Sequence, residues 1–121
     1  MSAGWIPSDR GYLIDDLCRT FGRASANEGW FRQSWLGVEI WQMPQDLLRL
    51  QAVVHAVQPR WIIETGTKFG GSALFFASLL TLDGNTQGGV LTVDLILRPE
   101  VPVLFANHPL GHLIGAQRFR A

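Results

Sequence analysis

One stretch leaves few folds open: residues 60–80, Arg-Trp-Ile-Ile-Glu-Thr-Gly-Thr-Lys-Phe-Gly-Gly-Ser-Ala-Leu-Phe-Phe-Ala-Ser-Leu-Leu. A short apolar run, Trp61 to Ile63, leads into a turn through Gly66, Gly70 and Gly71. An apolar segment of helix-forming residues follows. That order reads as a buried parallel strand, a glycine-rich turn and a helix. Glycine lets the backbone turn tightly and lets a ligand come close. The first turn of the helix then presents unpaired N–H groups and the positive end of its dipole, which suits an anion or an electron-rich ligand.

The chain around this unit follows the same logic. Residues 1–8, with Gly4 and Pro7, read as a lead-in. Leu13, Ile14, Leu17, Cys18 and Phe21 recur at helical spacing, which predicts an amphipathic helix over 9–21 with Ser8 as N-cap and Gly22 at its end. Residues 22–34 are polar and read as irregular. Residues 35–44 carry Trp35 and Trp41 and end in Pro44, which predicts a short extended segment. The two tryptophans either pack a lid onto the core, the weightier alternative because aromatics dominate core burial, or form a binding lip. Pro44 to Val57 reads as a helix that opens on a tolerated proline and is stopped by Pro59. His55 on this helix lacks partners at ligand spacing and reads as a surface histidine. After a loop over 83–89, Val90 to Leu95 forms the second strand, ending near Asp94. Asp94 lies 28 residues beyond Gly66, the span of one right-handed strand–helix–strand crossover. The remainder, with Pro99, Pro102 and Pro109, reads largely as loop, with a third strand starting at Leu113-Ile114. His108 and His112 read as loop histidines.

Composition removes several functional classes. A 121-residue chain with zero net charge, and only Arg118 and Arg120 clustered near its end, has no electrostatic footprint for nucleic acid or an anionic membrane. Cys18 is the single cysteine, so no internal disulfide forms. No targeting segment is visible, and the apolar segment around 73–82 is shorter than the ~20 residues that span a bilayer. The expectation is a cytoplasmic protein.

A glycine turn after one strand and an acid at the end of the next are the two halves of an adenosine site, the acid accepting from ribose hydroxyls. Asp94 stands there. Glu64 closes the first strand, where a carboxylate meets a cationic ligand group or the turn's own N–H groups. The plainer alternative is that Asp94 caps a loop and Glu64 orders the turn. A P-loop is excluded because Ser72 occupies the lysine position, and a dinucleotide fingerprint fails because Lys68 occupies the second glycine position. A ligand with adenosine but no phosphate, such as S-adenosylmethionine, fits better.

Six blocks in order carry a family resemblance: Trp35-Leu-Gly-Val, Pro44-Gln-Asp-Leu-Leu-Arg-Leu-Gln, Ile63-Glu-Thr-Gly-Thr-Lys-Phe-Gly-Gly-Ser-Ala-Leu, Val93-Asp94, Arg98-Pro-Glu and His108-Pro-Leu. Over roughly residues 30–115 the chain resembles the cephalosporin hydroxylase family, which includes S-adenosylmethionine-dependent O-methyltransferases, the rhamnosyl O-methyltransferases among them. The resemblance implies an α/β fold: an incomplete Rossmann-like (class I methyltransferase) three-layer sandwich, with residues 1–34 as a helical lead-in and 35–121 as the N-terminal portion of the domain. It implies that Glu64, Gly66, Thr67, Gly70, Gly71 and Ser72 form the first cofactor motif and that Asp94 holds the ribose. Lys68, at a variable position, faces either the cofactor's carboxylate or, the favoured alternative, solvent. The implied reaction moves a methyl group to a hydroxyl of a sugar or small molecule, where positioning does much of the work. In the family a divalent metal such as Mg2+ can activate the acceptor oxygen; no metal ligand and no catalytic residue is assigned in this chain. Relatives continue for further strands, so the chain reads as a fragment whose first strand has an open edge, completed by a second copy or a partner chain. A non-catalytic adenosine-binding or interaction module is the alternative.

Overall fold

The computed structural model describes residues 7–28 and 33–119. The expectations for residues 1–6, 29–32, Arg120 and Ala121 lie outside the described residues. The chain divides into two compact units, Met1–Arg32 and Gln33–Ala121.

The first unit contains α1, Pro7–Glu28. It is longer than the sequence suggests at both ends. Ser8 lies inside it, and the helix runs through Gly22 to Glu28, so the irregular reading of 22–28 is corrected. A glycine in a helix interior costs only about 1 kcal/mol relative to alanine, too little to end a helix whose flanking residues favour it.

The second unit opens with a two-strand hairpin, β1 (Ser34–Trp35) and β2 (Val38–Glu39), followed by α2 (Pro44–Val57). The expected strand–turn–helix is present as β3 (Trp61–Thr65) and α3 (Gly71–Leu82), and the crossover ends in β4 (Gly89–Asp94). The chain continues through α4 (Glu100–Asn107), a 3-10 turn (Gly111–Leu113) and β5 (Ile114–Arg118). The reading of 96–121 as largely loop missed α4. Pro99 is the N-cap of α4 and Pro102 lies in its first turn, where backbone N–H groups have no intrahelical acceptor and proline is tolerated.

The three strands form a parallel sheet in the order β3-β4-β5, with Ile62 opposite Val90 and Val90 opposite Ile114. The core joins Ala73, Leu74, Ala77 and Leu80 of α3 to Val90 of the sheet, Val101 and Phe105 of α4 and Val38 of β2. α3 is apolar nearly all round because it is enclosed: the sheet lies on one side and the hairpin and α2 on the other. Trp35 fixes the hairpin to it, donating from Nε1 to Ser78 Oγ at 3.0 Å and meeting the Phe75 ring edge-on at 4.9 Å. The opposite face of the sheet carries Trp61 (57% exposed) and Ile63 (71% exposed), and β3 is an edge strand. Residues 33–119 thus supply one helical layer on one sheet face, a partial Rossmann-like arrangement.

Candidate functional site

The site is built where β3 and β4 end side by side. Gly66 prolongs the ladder one residue past β3, its N–H donating to the Val93 carbonyl at 2.7 Å. Its φ is +89°, a conformation that disfavours any residue with a Cβ. A Cβ placed there meets no atom within 4 Å, so the space before it is open. Thr67 turns inward and is buried, its hydroxyl 2.8 Å from that of Thr92 on β4. Lys68 also adopts positive φ, +48°, and its N–H donates to Asp94 Oδ2 at 3.1 Å. The Ile96 N–H reaches Asp94 Oδ1 at 3.3 Å. These backbone donors, that of Lys68 first, hold the Asp94 carboxyl below the usual carboxylate range.

Glu64 faces the α3 side of the sheet, opposite Thr92 in register. Burial raises its pKa above the ordinary carboxyl value, and hydroxyls of Thr92 and Ser72 partly offset this. Its Oε1 is buried without a hydrogen-bond partner. A buried carboxyl oxygen left unpaired costs free energy that a donor arriving from outside would return.

Gly70 and Gly71 serve a different purpose from Gly66. A Cβ on Gly70 would sit 2.8 Å from the Phe105 ring, and one on Gly71 would overlap the Glu39 carbonyl oxygen. Both allow neighbouring elements to close on the turn. Gly71 in particular lets the strand that leads to Trp41 lie across the start of α3. That start has no side-chain cap.

Two hollows meet at Gly66. The larger, about 400 Å³, is lined by Thr65, Gly66, Val93, Asp94, Leu95 and Phe119. The backbone N–H of Phe119 donates to the Asp94 carbonyl at 2.8 Å, which ties the end of β5 to the acid. Leu95 and Phe119 are exposed apolar side chains beside a carboxylate. The smaller hollow, about 70 Å³, lies between the turn and residues 39–42; Glu39, Trp41, Lys68 and Ser72 are among its walls. Trp41 donates from Nε1 to Glu39 Oε1 at 2.8 Å, and the Lys68 ammonium lies 4.1 Å from the Trp41 ring centroid. Arg98 stacks on Phe69 at 4.6 Å.

Of the residues expected from sequence, Gly66, Thr67, Gly71 and Ser72 border the smaller hollow, and Gly66 and Asp94 the larger. Glu64 and Gly70 border neither. Lys68, expected to face solvent, is exposed but lies over Trp41. The sequence reading missed Leu95, Phe119 and Glu39. Leu95, directly after the acid, was the findable one; Phe119 depends on the β4–β5 register. His55 is exposed, as expected for a surface histidine, with Nδ1 2.7 Å from Asp83 Oδ1. His108 accepts from the Leu110 N–H. Among the described residues no group of three or more His, Cys, Asp or Glu side chains is gathered at one point, and no helix is long and apolar enough to cross a membrane.

A parallel sheet with crossover helices on one face, a glycine turn after one strand and an acid ending the next defines a partial Rossmann-like fold. The chain belongs to the family described as Rhamnosyl O-methyltransferase/CmcI, whose model matches residues 27–117. It is 35% identical over 65 residues to a rhamnosyl O-methyltransferase of Mycobacterium tuberculosis (strain ATCC 25618 / H37Rv), covering 54% of this chain and 26% of that protein. The rhamnosyl O-methyltransferase of Mycobacterium leprae (strain TN) is 35% identical over 66 residues, covering 54% and 28%. The match therefore spans roughly a quarter of the length of these curated relatives. A solved chain described as "cmcI-N160 SAH" superposes with a TM-score of 0.56 at 18% identity, covering 73% of this chain and 43% of that one. It supports the fold.

Proposed function

We propose that residues 35–121 form the cofactor-binding part of an S-adenosylmethionine-dependent O-methyltransferase acting on a hydroxyl of a sugar or other small molecule, with residues 1–34 as a separate lead-in. The observation that carries this reading is the open hollow at Gly66 and Asp94, flanked by Leu95 and Phe119. A flat purine needs apolar walls, and a ribose needs an acceptor held in place. Asp94 is fixed by two backbone N–H groups and kept ionised, so it accepts from ribose hydroxyls without first losing a proton. Gly66 leaves room for the sugar to approach the backbone. The partnerless Oε1 of Glu64, beneath the turn, fits a cationic donor brought in by the ligand.

When bound, S-adenosylmethionine supplies an electrophilic methyl group, which passes to the acceptor hydroxyl as that oxygen gives up its proton. This chain's contribution is to hold and orient adenosine at the strand ends. The sugar acceptor is supported by the names of the relatives, and Mg2+ belongs to the same reading as a property of the longer family members. The test is titration of the purified chain with S-adenosylhomocysteine. Saturable one-to-one binding is expected, weakened in Asp94→Ala by roughly 1–3 kcal/mol, the cost of losing hydrogen bonds to a charged group. Equal affinity of the variant would remove the ribose role.

A second reading is favoured by the bare sheet face. Trp61 and Ile63 and the edge of β3, which pairs with no further strand among the described residues, offer main-chain and apolar contacts to another strand. In that reading the chain is an adenosine-binding or interaction module completed by a second copy or partner. Sedimentation at rising concentration separates the two: a monomer throughout removes self-association.

A further inference from the structure

We infer that α1 is a self-association surface: it pairs antiparallel with α1 of a second copy of this chain, about a two-fold axis at the level of residue 19. This pairing stands apart from the cofactor site, because α1 up to residue 26 precedes the residues that match the family model. At about 100° per residue, Leu13, Ile14, Leu17, Phe21 and Ala24 fall within an arc of about 100° and form one stripe along the helix. Leu13 and Leu17 are more than half exposed, and Ile14 and Phe21 more than a third. A helix takes most of its stability from packing an apolar face, so a stripe left in water calls for a cover.

Two features of the stripe point to a second copy as that cover. The first is shape. Antiparallel pairing at residue 19 sets Leu17 opposite the partner's Phe21 and, by symmetry, Phe21 opposite the partner's Leu17. Ile14 then lies opposite the partner's Ala24, large against small, at each end of the contact. The second is charge. Asp16 and Arg23 stand on one flank of the stripe, both exposed. Their midpoint falls within one residue of the axis that the apolar stripe selects. The two-fold operation sets Asp16 beside the partner's Arg23, and Arg23 beside the partner's Asp16. A parallel pair would set that flank beside the one that carries Gly11 and Cys18, and would leave both charges unmatched. The helix carries four acidic residues and three arginines, so it lacks the basic face that draws an amphipathic helix to an anionic membrane.

The test is sedimentation equilibrium of the full chain across the micromolar range. The wild-type chain is expected to dimerise reversibly. Leu17→Glu places a carboxylate at the centre of the stripe and is expected to weaken dimerisation by about tenfold or more. Asp16→Arg and Arg23→Asp are each expected to weaken it by about threefold to tenfold, since each sets like charges side by side at both symmetric contacts. An equimolar mixture of these two variants is expected to regain wild-type dimerisation, because opposite charges meet at both contacts of the mixed pair. Damaged folding in either variant cannot produce that rescue. A wild-type chain that stays monomeric throughout overturns the pairing and leaves the stripe to another occupant. Self-association unchanged by Leu17→Glu overturns it too, and assigns the contact to another surface such as the edge of β3. Two weakened variants that do not rescue each other overturn the antiparallel register.

Discussion

The two faces of the β3-β4-β5 sheet are built from the same three strands and have opposite fates. On one face Ile62, Val90, Ile114 and Ala116 pack beneath α3 and α4 into a continuous core. On the other, Trp61 and Ile63 are more than half exposed. Parallel strands are normally apolar on both faces because both are covered. The difference teaches that this stretch of sequence encodes one complete layer pair, and that both hollows sit at the strand ends of that pair. Gly66, Asp94, Leu95 and Phe119 all stand at strand ends, where ladder bonds such as Gly66 to Val93 and Phe119 to Asp94 fix them. Trp61 and Ile63 border neither hollow at Gly66, whereas Thr65 and Val93, farther along the same face, line the larger one.

Truncating one side chain on each face separates the two faces. Leu74 is fully buried between sheet and helices, and Leu74→Ala is expected to cost about 2–5 kcal/mol. Urea denaturation reads this, and a loss below about 1 kcal/mol would mean that α3 does not organise the core. Gly71→Ala comes next. Its Cβ would overlap the Glu39 carbonyl oxygen and Ile40, and overpacking of that kind costs about 1–3 kcal/mol. It should also lower S-adenosylhomocysteine affinity by pushing residues 39–42 off the turn, so stability and affinity should fall together.

Glu64→Gln sharpens the contrast between buried and open acids. Burial raises the folded pKa of Glu64, so the folded chain holds a proton that the unfolded chain has released. Wild-type stability therefore falls as pH rises from the ordinary carboxyl range through that raised value. Glu64→Gln lacks this loss and should be at least as stable as wild type at neutral pH. Melting temperatures across that window check the sign. Asp94 works in the opposite sense: its lowered pKa contributes stability at neutral pH that disappears as pH falls through the folded value. The smallest effect is expected on the bare face, where Ile63→Thr should change stability by no more than about 0.5 kcal/mol. A larger loss would show that this face is covered in solution.

The strand, glycine turn and helix over 61–82 were legible because each is a local pattern of period and composition, and Asp94 followed from crossover length. What was not legible depended on partners distant in sequence. Trp35 and Trp41 sit in one short segment, yet Trp35 packs on Phe75 and Ser78 while Trp41 is 43% exposed above the turn. The letters cannot separate them; the hairpin that turns at Leu36 and Gly37 does. Gly66, Gly70 and Gly71 read as one motif, although only Gly66 keeps open space and the other two receive Phe105 and residues 39–40. α4 was hidden because its prolines were weighed as breakers without their position in the first turn. Phe119 enters the site only through the β4–β5 register.

The proposed ligand site lies at the C-terminal ends of β3 and β4, away from the exposed Trp61 and Ile63. Amide hydrogen exchange of the full chain, with and without saturating S-adenosylhomocysteine, tests it most directly. New protection is expected at residues 65–69, 94–97 and 119, with residues 61–63 and 89–91 unchanged. Protection centred on 61–63 and 89–91, or none at the glycine turn, would contradict it.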